Sequence, residues 1–351
     1  MNRVLVAMSG GIDSSITAYL LQKEGYEVIG LTFVNYLENP TNKSEIQFVD
    51  DARHIANYLG IKHVVIDIRE SFRSIIDYFV KEYFHGHTPN PCVLCNPTIK
   101  WNVLIEHADL LDAQFIATGH YAIKKTNNNR FYISKGIDKL KDQSYFLYRL
   151  PQNYLKRTLF PLGDKRKTEI KEIAYDLGLN RLINKSESFD VCFIRTDDYR
   201  DFIKEYSNKN NLTITPGPII DINGKEVGMH NGIMFYTIGQ RRGLGIALGF
   251  PAYVVDIDYK NNTIIVGPRE ALACKKLVIE NVSLMKYDKL PPDGLFVNAK
   301  IRYRDSGTPG VIRQINDKIV VEFEKPAYGV TPGQSAVFYE SEDVVGGGII
   351  V

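Results

Sequence analysis

The stretch RVLVAMSGGIDSS, from Arg3 to Ser15, decides the fold class of this 351-residue chain. Its first six residues are apolar after the arginine, which is typical of a short strand buried on both faces. Two glycines then permit a sharp turn, and the helical pattern ITAYLLQKEG follows, ending at Gly25. A buried strand that turns directly into a helix is the first half of a βαβ unit, so the stretch predicts a parallel sheet.

The same alternation continues for about two hundred residues. Further strands are predicted for YEVIGLTF, IKHVVIDI and AQFIATGHY, and further helices for EIQFVDDARHIANYLG, ESFRSIIDYFVKEYF and TEIKEIAYDLGLN. After about Tyr206, glycine and proline separate short β-rich segments, and NG in DINGKEVG and NN in DYKNNTIIVG are hairpin signals. We therefore expect an α/β domain followed by two small β-rich or barrel domains, with ranges 1–205, 206–273 and 274–351.

Composition limits the class of protein. The hydrophobic content of 44% and charged content of 24% fit a globular protein. The first residues lack the apolar segment of a signal peptide, and no uncharged apolar run approaches the ~20 residues of a membrane-spanning helix. Four cysteines are too few for a disulfide scaffold. We expect a cytoplasmic protein with no membrane partner, and nothing indicates an obligate oligomer, so we expect a monomer.

The turn AMSGGIDSS has the composition of a phosphate-binding loop. Gly10 and Gly11 let backbone amides point at one spot, the serines add hydroxyl donors, and the helix start adds a positive dipole. No Gly-Lys-Ser/Thr follows, so it is not a Walker A loop. The alternative is a capped helix start with Asp13 or a serine as N-cap. A cap needs one such residue, whereas this turn holds two glycines, three serines and an aspartate, which favours the phosphate site.

Strand–SGGIDS–helix resembles the loop of the pyrophosphatase-loop (PP-loop) ATPases, which bind ATP and often adenylate an oxygen of their substrate. The resemblance implies ATP, with Mg²⁺, as the cofactor and an N-terminal fold of the adenine-nucleotide hydrolase-like type. The residues that it places around ATP are Ala7, Met8, Ser9, Gly10, Gly11, Ile12, Asp13, Ser14, Phe33 and Gly119.

A second chemistry is carried by HTPNPCVLCNPTIKW, residues 87–101, which contains a C-x-x-C pair. Spacing alone leaves four alternatives: a zinc half-site, a redox pair, iron–sulfur ligands, or one nucleophile with a neighbour. Cys192, in FDVCFI, is more often buried filler when considered alone. Cys274, in the β-rich region, keeps a structural interpretation.

TPNPCVLCN, ATGHYA, KDQSYFL and FDVCFI, followed by YTIGQRRGLG and TPGQSAVFY, occur in an order that closely resembles the bacterial tRNA-specific 2-thiouridylase family. The resemblance spans nearly the whole chain. That family replaces the C2 oxygen of the anticodon wobble uridine with sulfur. The chemistry agrees: adenylation turns a poor leaving oxygen into AMP, and a persulfide on one cysteine is released by attack of a second.

The resemblance implies roles for individual residues. Cys95 is the expected catalytic nucleophile and Cys192 the persulfide carrier. Asn90, Pro91 and Cys92 would line the target-base pocket. The tRNA contacts would be His120, Lys141, Asp142, Gln143, Arg302, Tyr303, Arg304 and Gln334. For Asp142 and Gln143 a simple turn role is equally consistent with the sequence, and His120 could be a packed core histidine.

One departure from the family pattern concerns the first cysteine. The usual motif is T-P-N-P-D-x-x-C-N followed by a basic residue, whereas this chain has Cys92 at the acidic position and Pro97 at the basic one. Cys92, Cys95 and Cys192 could therefore ligate a four-iron–four-sulfur cluster. Zinc is a further alternative, with a histidine as fourth ligand, taken from His85, His87 and His120. We expect a metal-free persulfide relay, with these metal sites as alternatives.

The expected partners are tRNA, through its anticodon stem-loop, and a persulfide-donating sulfurtransferase or sulfur carrier. Residues 124–171 hold 13 Lys/Arg and 4 Asp/Glu, a local balance of 13 − 4 = +9, interleaved with aromatic residues. That pattern suits RNA, although a solvated face is the simpler explanation of a charge run. The rival functions are another adenylating synthetase, a different RNA thiolase, and a metal-containing RNA-binding module.

Overall fold

The structure is a computed structural model that describes residues 2–36, 43–185, 191–194 and 198–351, with side chains from residue 47 onward in the second range. Two residues of the quoted stretch FDVCFI, 189 and 190, lie outside the described residues, whereas Cys192 lies within them. All other candidate site residues are described.

The N-terminal domain is built on a five-stranded parallel sheet, as the sequence predicts. The strand order is β3-β2-β1-β4-β7. The strands are β1 (Arg3–Ala7), β2 (Glu27–Val34), β3 (Lys62–Asp67), β4 (Phe115–Ala117) and β7 (Thr158–Leu159). Leu5 packs on one face of the sheet and Val4 and Val6 on the other, all fully buried. A strand buried on both faces needs the continuous apolar sequence that RVLVAM supplies.

Nine helices of the described residues carry this part of the fold. They are α1 (Ile12–Lys23), α2 (Lys43–Leu59), α3 (Arg69–Phe84), α4 (Pro91–Cys95), α5 (Trp101–Leu110), α6 (Gln152–Arg157), α7 (Lys167–Asp176), α8 (Asn180–Ile183) and α9 (Tyr199–Lys209). The buried Trp101 and Leu104 of α5 join Leu5 on one face of the sheet, and α1 and α7 cover the other. The predicted first domain boundary, after residue 205, falls within α9.

A π-helical turn, Asn96–Lys100, joins α4 to α5, so residues 91–110 form one continuous helical segment. Pro97 explains the wide turn, because proline lacks an amide hydrogen and its ring clashes with the carbonyl one turn earlier. The segment carries two of the candidate cysteines.

A hairpin formed by β5 (Ala122–Asn127) and β6 (Arg130–Lys135) was not predicted from the sequence. Its turn residues Asn128 and Asn129 both have positive φ, as a type I′ turn requires. The hairpin leaves the parallel sheet and pairs with the C-terminal domain at Ser134 and Asp343. The N-terminal domain is thereby joined to the C-terminal one by a strand contact.

The central sheet has the order β10-β11-β8-β9. Its strands are β8 (Gly217–Asp221), β9 (Glu226–His230), β10 (Tyr253–Asp258) and β11 (Thr263–Gly267). Both predicted hairpins are confirmed: β8 pairs with β9 across the NG turn, and β10 with β11 across the NN turn.

The C-terminal domain is a closed antiparallel barrel of six strands. These are β12 (Ala273–Leu284), β13 (Leu295–Lys300), β14 (Thr308–Ile315), β15 (Lys318–Tyr328), β16 (Ser335–Glu340) and β17 (Asp343–Ile350), and the pairing of β12 with β17 closes the ring. The predicted fold class, an α/β domain followed by β-rich domains, is confirmed. Among the described residues, no helix has the length and apolar composition to cross a membrane.

Candidate active site

The predicted phosphate loop connects β1 to α1. Its serine hydroxyls are used inside the loop: Ser14 Oγ donates to Gly11 O at 3.1 Å, Ser15 Oγ donates to the same carbonyl at 2.8 Å, and Ser9 N donates to Ser14 Oγ at 3.1 Å. The hydroxyls therefore shape the turn. The first amides of α1 have no partner within the helix, as at any helix start, and these are the groups that remain for an anion.

Gly10 is required by a close approach. Its φ is +70°, and a Cβ built on it would lie 2.3 Å from the carbonyl oxygen of Phe48 in α2. No L-residue fits that space, so the first glycine of the motif fixes the loop against α2.

Asp13, considered above as an N-cap, instead accepts two external donors. Tyr121 Oη donates to it at 2.7 Å, and the buried Lys167 Nζ lies 2.8 Å from both carboxylate oxygens. On the other side of the loop, Lys185 Nζ donates to Gly10 O at 3.3 Å and pairs with Asp51 at 2.9 Å. Two lysines therefore flank the loop, although its own sequence contains none.

Sequence reasoning missed both lysines. Lys167 begins α7 and Lys185 follows α8, more than 150 residues after the loop. The available signal was the missing Walker lysine, because a phosphate site without its own cation needs one from elsewhere.

The carboxyl ends of β1, β2 and β4 meet at one edge of the sheet, where β1 lies between the other two. Gly119, beyond β4, packs against the start of α1, and a Cβ on it would lie 3.0 Å from Ser14 N. Phe33, near the end of β2, is half-buried. Ligands of open parallel sheets bind at this edge, where both residues lie, and their contact with ATP stays a prediction.

A cleft of about 800 Å³ opens over the loop and reaches the C-terminal barrel. It brings together predicted residues from three segments: Ser9 and Gly11–Asp13 from the loop, Lys141–Gln143, and Tyr303–Arg304 of the barrel. Lys139, Lys185 and Lys300 also line it. The cleft is therefore bordered by cations from distant parts of the chain, which suits a polyanionic ligand.

Two of the predicted RNA contacts are engaged within the protein. Asp142 is buried and its Oδ1 accepts from Gly136 N at 3.2 Å and Ser144 N at 3.1 Å, while burial raises its pKa. Gln143 Oε1 accepts from Tyr121 N at 3.1 Å. Both side chains hold the 136–144 loop in place, which is the turn role the sequence left open, and their RNA contact stays a prediction.

The barrel presents its candidates differently. Arg302 and Arg304 are exposed, whereas Tyr303 packs on Phe146 with ring centroids 4.5 Å apart and donates from Oη to Asp142 O at 3.1 Å. The two arginines are available to RNA, and Tyr303 secures the barrel against the N-terminal domain.

His120 lies between aromatic rings, 5.5 Å from Trp101 and 6.4 Å from Phe160 by centroid, with Nδ1 2.9 Å from Thr118 Oγ1. Burial, with a smaller contribution from the Lys100 charge, lowers the pKa of His120 to about 3. The side chain is neutral at physiological pH and is not an electrostatic contact for phosphate.

The cysteines form the second part of the site. Cys92 and Cys95 lie one turn apart on the 91–110 helical segment, half-buried and buried respectively. Cys192 is exposed, and Asn35 Nδ2, just beyond the end of β2, donates to its Sγ at 3.2 Å. Cys192 is therefore the thiol that an external donor can reach.

Burial raises the pKa of all three thiols. It raises the pKa of Cys92 to about 11 and that of Cys95 to about 12, and packing around Sγ also raises the pKa of Cys192 although part of its surface reaches solvent. A charge on Cys192 would raise the pKa of both other thiols further, so the three share one environment.

Lys100 supplies the opposing charge, and sequence reasoning missed it. Its ammonium favours the thiolate form at all three cysteines. Burial disfavours that ammonium, but the neighbouring thiols outweigh burial and raise the pKa of Lys100. The signal was present: Pro97 occupies the usual basic position, and the next lysine on the segment is Lys100.

The metal alternatives can be compared with this geometry. In the ranges that the structure describes, no three His, Cys, Asp or Glu side chains converge closely enough to hold a metal ion. Of the histidines considered as a fourth zinc ligand, His85 has Nδ1 2.7 Å from Lys81 O and His87 has Nδ1 2.7 Å from Glu82 Oε2, which leaves Nε2 of each ring for other partners. The cluster and the zinc site stay alternatives to the metal-free relay. Cys274 donates its thiol proton to Lys276 O at 3.0 Å within the barrel, away from these groups.

The +9 balance of residues 124–171 overstates the charge of that surface. Six basic residues of the stretch form ion pairs with described acids, five of them with acids outside the stretch. These six are Lys125, Arg130, Lys135, Arg157, Lys165 and Lys167. The charge that could face RNA therefore comes from fewer residues than the count suggests.

Three domain models match the chain in succession: the tRNA methyl transferase HUP domain over residues 2–196, the tRNA methyl transferase PRC-barrel domain over 200–268, and the aminomethyltransferase beta-barrel domain over 274–350. The chain is 46% identical over 356 residues to the tRNA-specific 2-thiouridylase MnmA of Cytophaga hutchinsonii, covering 99% of this chain and 97% of that one. It is also 46% identical to the tRNA-specific 2-thiouridylase MnmA of Amoebophilus asiaticus, covering 99% and 95%. Among solved structures, the U34-tRNA thiolase NcsA from Methanococcus maripaludis with its 4Fe-4S cluster is similar over 59% of this chain and 65% of that one, at 18% identity and a TM-score of 0.37.

Proposed function

This chain belongs to the tRNA-specific 2-thiouridylase family, and from that premise we propose that it thiolates the wobble uridine of tRNA at the expense of ATP. In the first step, the uridine O2 attacks the α-phosphorus of ATP and pyrophosphate leaves. In the second, sulfur replaces the adenylated oxygen at C2 and AMP leaves. The product is 2-thiouridine.

One observation supports this pairing of chemistries more than any other. The phosphate loop follows the carboxyl end of β1, and Asn35, which donates to Cys192 Sγ, lies just beyond the carboxyl end of the adjacent β2. An adenylation site and a sulfur site at the same edge of one sheet can act on the same atom of a substrate.

The sulfur step is proposed as a relay through two cysteines. Cys192, being exposed, receives a persulfide from a donor protein. The Cys95 thiolate attacks the inner sulfur, a Cys95–Cys192 disulfide forms, and hydrosulfide is released to attack C2. A dithiol reductant then supplies two electrons to restore both thiols. Lys100 favours the thiolate at Cys95 and the hydrosulfide anion beside it.

Further parts of the proposal concern ligands and location. ATP binds as its Mg²⁺ complex over the phosphate loop, with Asn90, Pro91 and Cys92 around the flipped base. The tRNA anticodon stem-loop contacts the exposed Arg302 and Arg304. We place the protein in the cytoplasm as a monomer, with domains at 1–205, 206–273 and 274–351.

The test is a reconstituted reaction with purified protein, ATP, a persulfide donor and an unmodified tRNA transcript. We expect 2-thiouridine and AMP in equal amounts by mass spectrometry. Cys95→Ser and Cys192→Ser should abolish 2-thiouridine while pyrophosphate exchange into ATP continues, and Cys274→Ser should behave as wild type. A methylated nucleoside, or AMP formation independent of tRNA, would overturn the proposal.

The same preparation tests the relay. Anaerobically purified protein should form 2-thiouridine without iron. About four irons per chain, lost together with activity in Cys92→Ser, would replace the relay with a cluster.

A further inference from the structure

Three motifs from three parts of the chain meet at one threonine. The helical segment 91–110, which carries Cys92 and Cys95, is called the cysteine helix below. Thr88, in the TPNP segment that precedes it, donates its amide hydrogen to Pro332 O at 2.9 Å. Its carbonyl oxygen accepts from Gln334 Nε2 at 2.8 Å. Its hydroxyl lies 3.4 Å from Thr237 Oγ1 of the YTIG segment. The barrel and the central domain thus both hold the same residue of the N-terminal domain.

The approach of the barrel at this point is close. Gly333 has φ +87°, and a Cβ built on it would lie 2.9 Å from His87 Cβ and 3.2 Å from Thr88 N. The glycine of TPGQ therefore lets the barrel loop pack directly against the backbone at residues 87 and 88.

Thr88 is also joined to the cysteine helix by a short, stiff segment. Pro89, Asn90 and Pro91 connect it to the helix start, and two of these three residues have a fixed φ. Cys92 follows at once. A displacement of Thr88 passes through this stiff connection to the proposed base pocket and to the first turn that carries both cysteines.

We propose that Thr88, Thr237 and Gln334 form a positioning junction that sets the cysteine helix in register with the central and C-terminal β domains. This inference rests on the proposed function, because it assigns the junction to the alignment of base and sulfur. The three junction residues do not line the cleft over the phosphate loop. Their effect is exerted through the placement of Asn90–Cys95.

The proposal gives Gln334 a different role from the RNA contact that the sequence predicts. A contact residue would change RNA affinity and leave the free protein unaltered. A positioning residue changes the cysteine environment before any RNA is present, since its amide is bonded to Thr88 in the free protein.

The experiment compares Gln334→Ala with Gln314→Ala in the full-length protein. Gln314 is a matched control, because its side-chain amide donates to the nearby Asn316 O of the same barrel. The first readout is the rate at which iodoacetamide alkylates Cys92 and Cys95, resolved by peptide mass spectrometry without RNA. The second is the single-turnover rate of thiolation at saturating tRNA, with the tRNA dissociation constant measured separately.

We expect Gln334→Ala to change the alkylation rates several-fold and to lower the single-turnover rate about tenfold, with little change in RNA affinity. Gln314→Ala should leave all three unchanged. A weaker affinity with unchanged alkylation and turnover would overturn the junction and leave Gln334 as an RNA contact. If wild-type protein forms no 2-thiouridine, the alkylation comparison still decides the junction, so the two proposals can fail separately.

Three further variants guard against misfolding. Gln334→Glu keeps the size of the side chain but its carboxylate cannot donate to Thr88 O, so it should reproduce Gln334→Ala at an unchanged melting temperature. Thr88→Ser keeps the hydroxyl and should retain the wild-type rates, whereas Thr88→Val should not. Equal rates in the serine and valine variants would remove Thr237 from the junction.

Discussion

The phosphate loop and the cysteine site occupy the same edge of the sheet but are prepared for reaction to different degrees. In the loop, the serines hold the turn, and Lys167 and Lys185 lie beside it with carboxylate partners. In the cysteine site, burial raises the pKa of Cys92 and Cys95, and the positive charge of Lys100 lowers it. The ATP half is formed in the free protein, whereas the sulfur half needs a further change before it can react.

That difference suits the order of the chemistry. Adenylation must come first, since sulfur can displace oxygen only after AMP has become the leaving group. A thiolate or persulfide that reacted before adenylation would be lost to solvent oxidants or other thiols. The buried Cys95, whose thiol pKa is raised, is protected against this.

The largest expected effect concerns the phosphate loop. Lys167→Met removes the cation beside Asp13, and we expect tRNA-dependent pyrophosphate exchange to fall about 10²-fold. Lys165→Met is the control, because Lys165 pairs with the adjacent Asp164 at the surface. If the melting temperature of Lys167→Met falls, adding Asp13→Asn should restore stability without restoring exchange. Wild-type exchange in Lys167→Met would show that the loop binds phosphate without this lysine.

The second prediction concerns the reactivity of the Cys95 thiol. Because burial raises the pKa of Cys95 to about 12, its alkylation rate in RNA-free protein should rise about tenfold per pH unit from pH 7 to 10. Free cysteine, as the reference, should level off near its pKa of about 8.5. Lys100→Met should slow Cys95 at every pH, since it removes the charge that favours the thiolate. A plateau at Cys95 near pH 8.5 would mean that the thiol is already activated.

The third prediction concerns the surfaces that flank both halves. The affinity for tRNA should fall steeply between 50 and 200 mM salt, and Arg304→Ala should reduce the slope of log K against log salt by about one. Arg157→Ala is the control, because Arg157 is bonded to Asp109 and to two backbone carbonyls. A flat salt dependence would remove the cleft and the barrel arginines from the RNA site.

The smallest effect concerns His120, which lies between the two halves. The folded pKa of about 3 is below the unfolded value of about 6.5, so neutral His120 stabilises the fold above pH 6.5 and loses that contribution as the pH falls toward 3. Urea unfolding from pH 6.5 to 5 should therefore show a slope smaller by up to about 1.4 kcal/mol per pH unit in His120→Phe than in wild type. The exposed His54→Gln is the control. Equal slopes would mean that the pKa of His120 is the same in the folded and the unfolded protein.

The parallel sheet, the phosphate loop, both β hairpins of the central domain and the candidate cysteines could be predicted from the sequence, because each depends on residues adjacent in the chain. An apolar run, two glycines before a helix, or an NG turn acts through local backbone geometry and periodicity. Only the tertiary structure decided which cations serve these sites. Lys167, in α7, and Lys185, just after α8, contact the loop from more than 150 residues away along the chain. Lys100 lies at the end of the π-helical turn that follows Cys95. The same holds for the partners of Asp142, Gln143 and Gln334. The family resemblance implies that these residues contact RNA, and in the structure their side chains are hydrogen-bonded within the protein. The charge or hydrogen-bonding capacity of a side chain follows from the sequence, whereas its partner depends on how distant segments pack together.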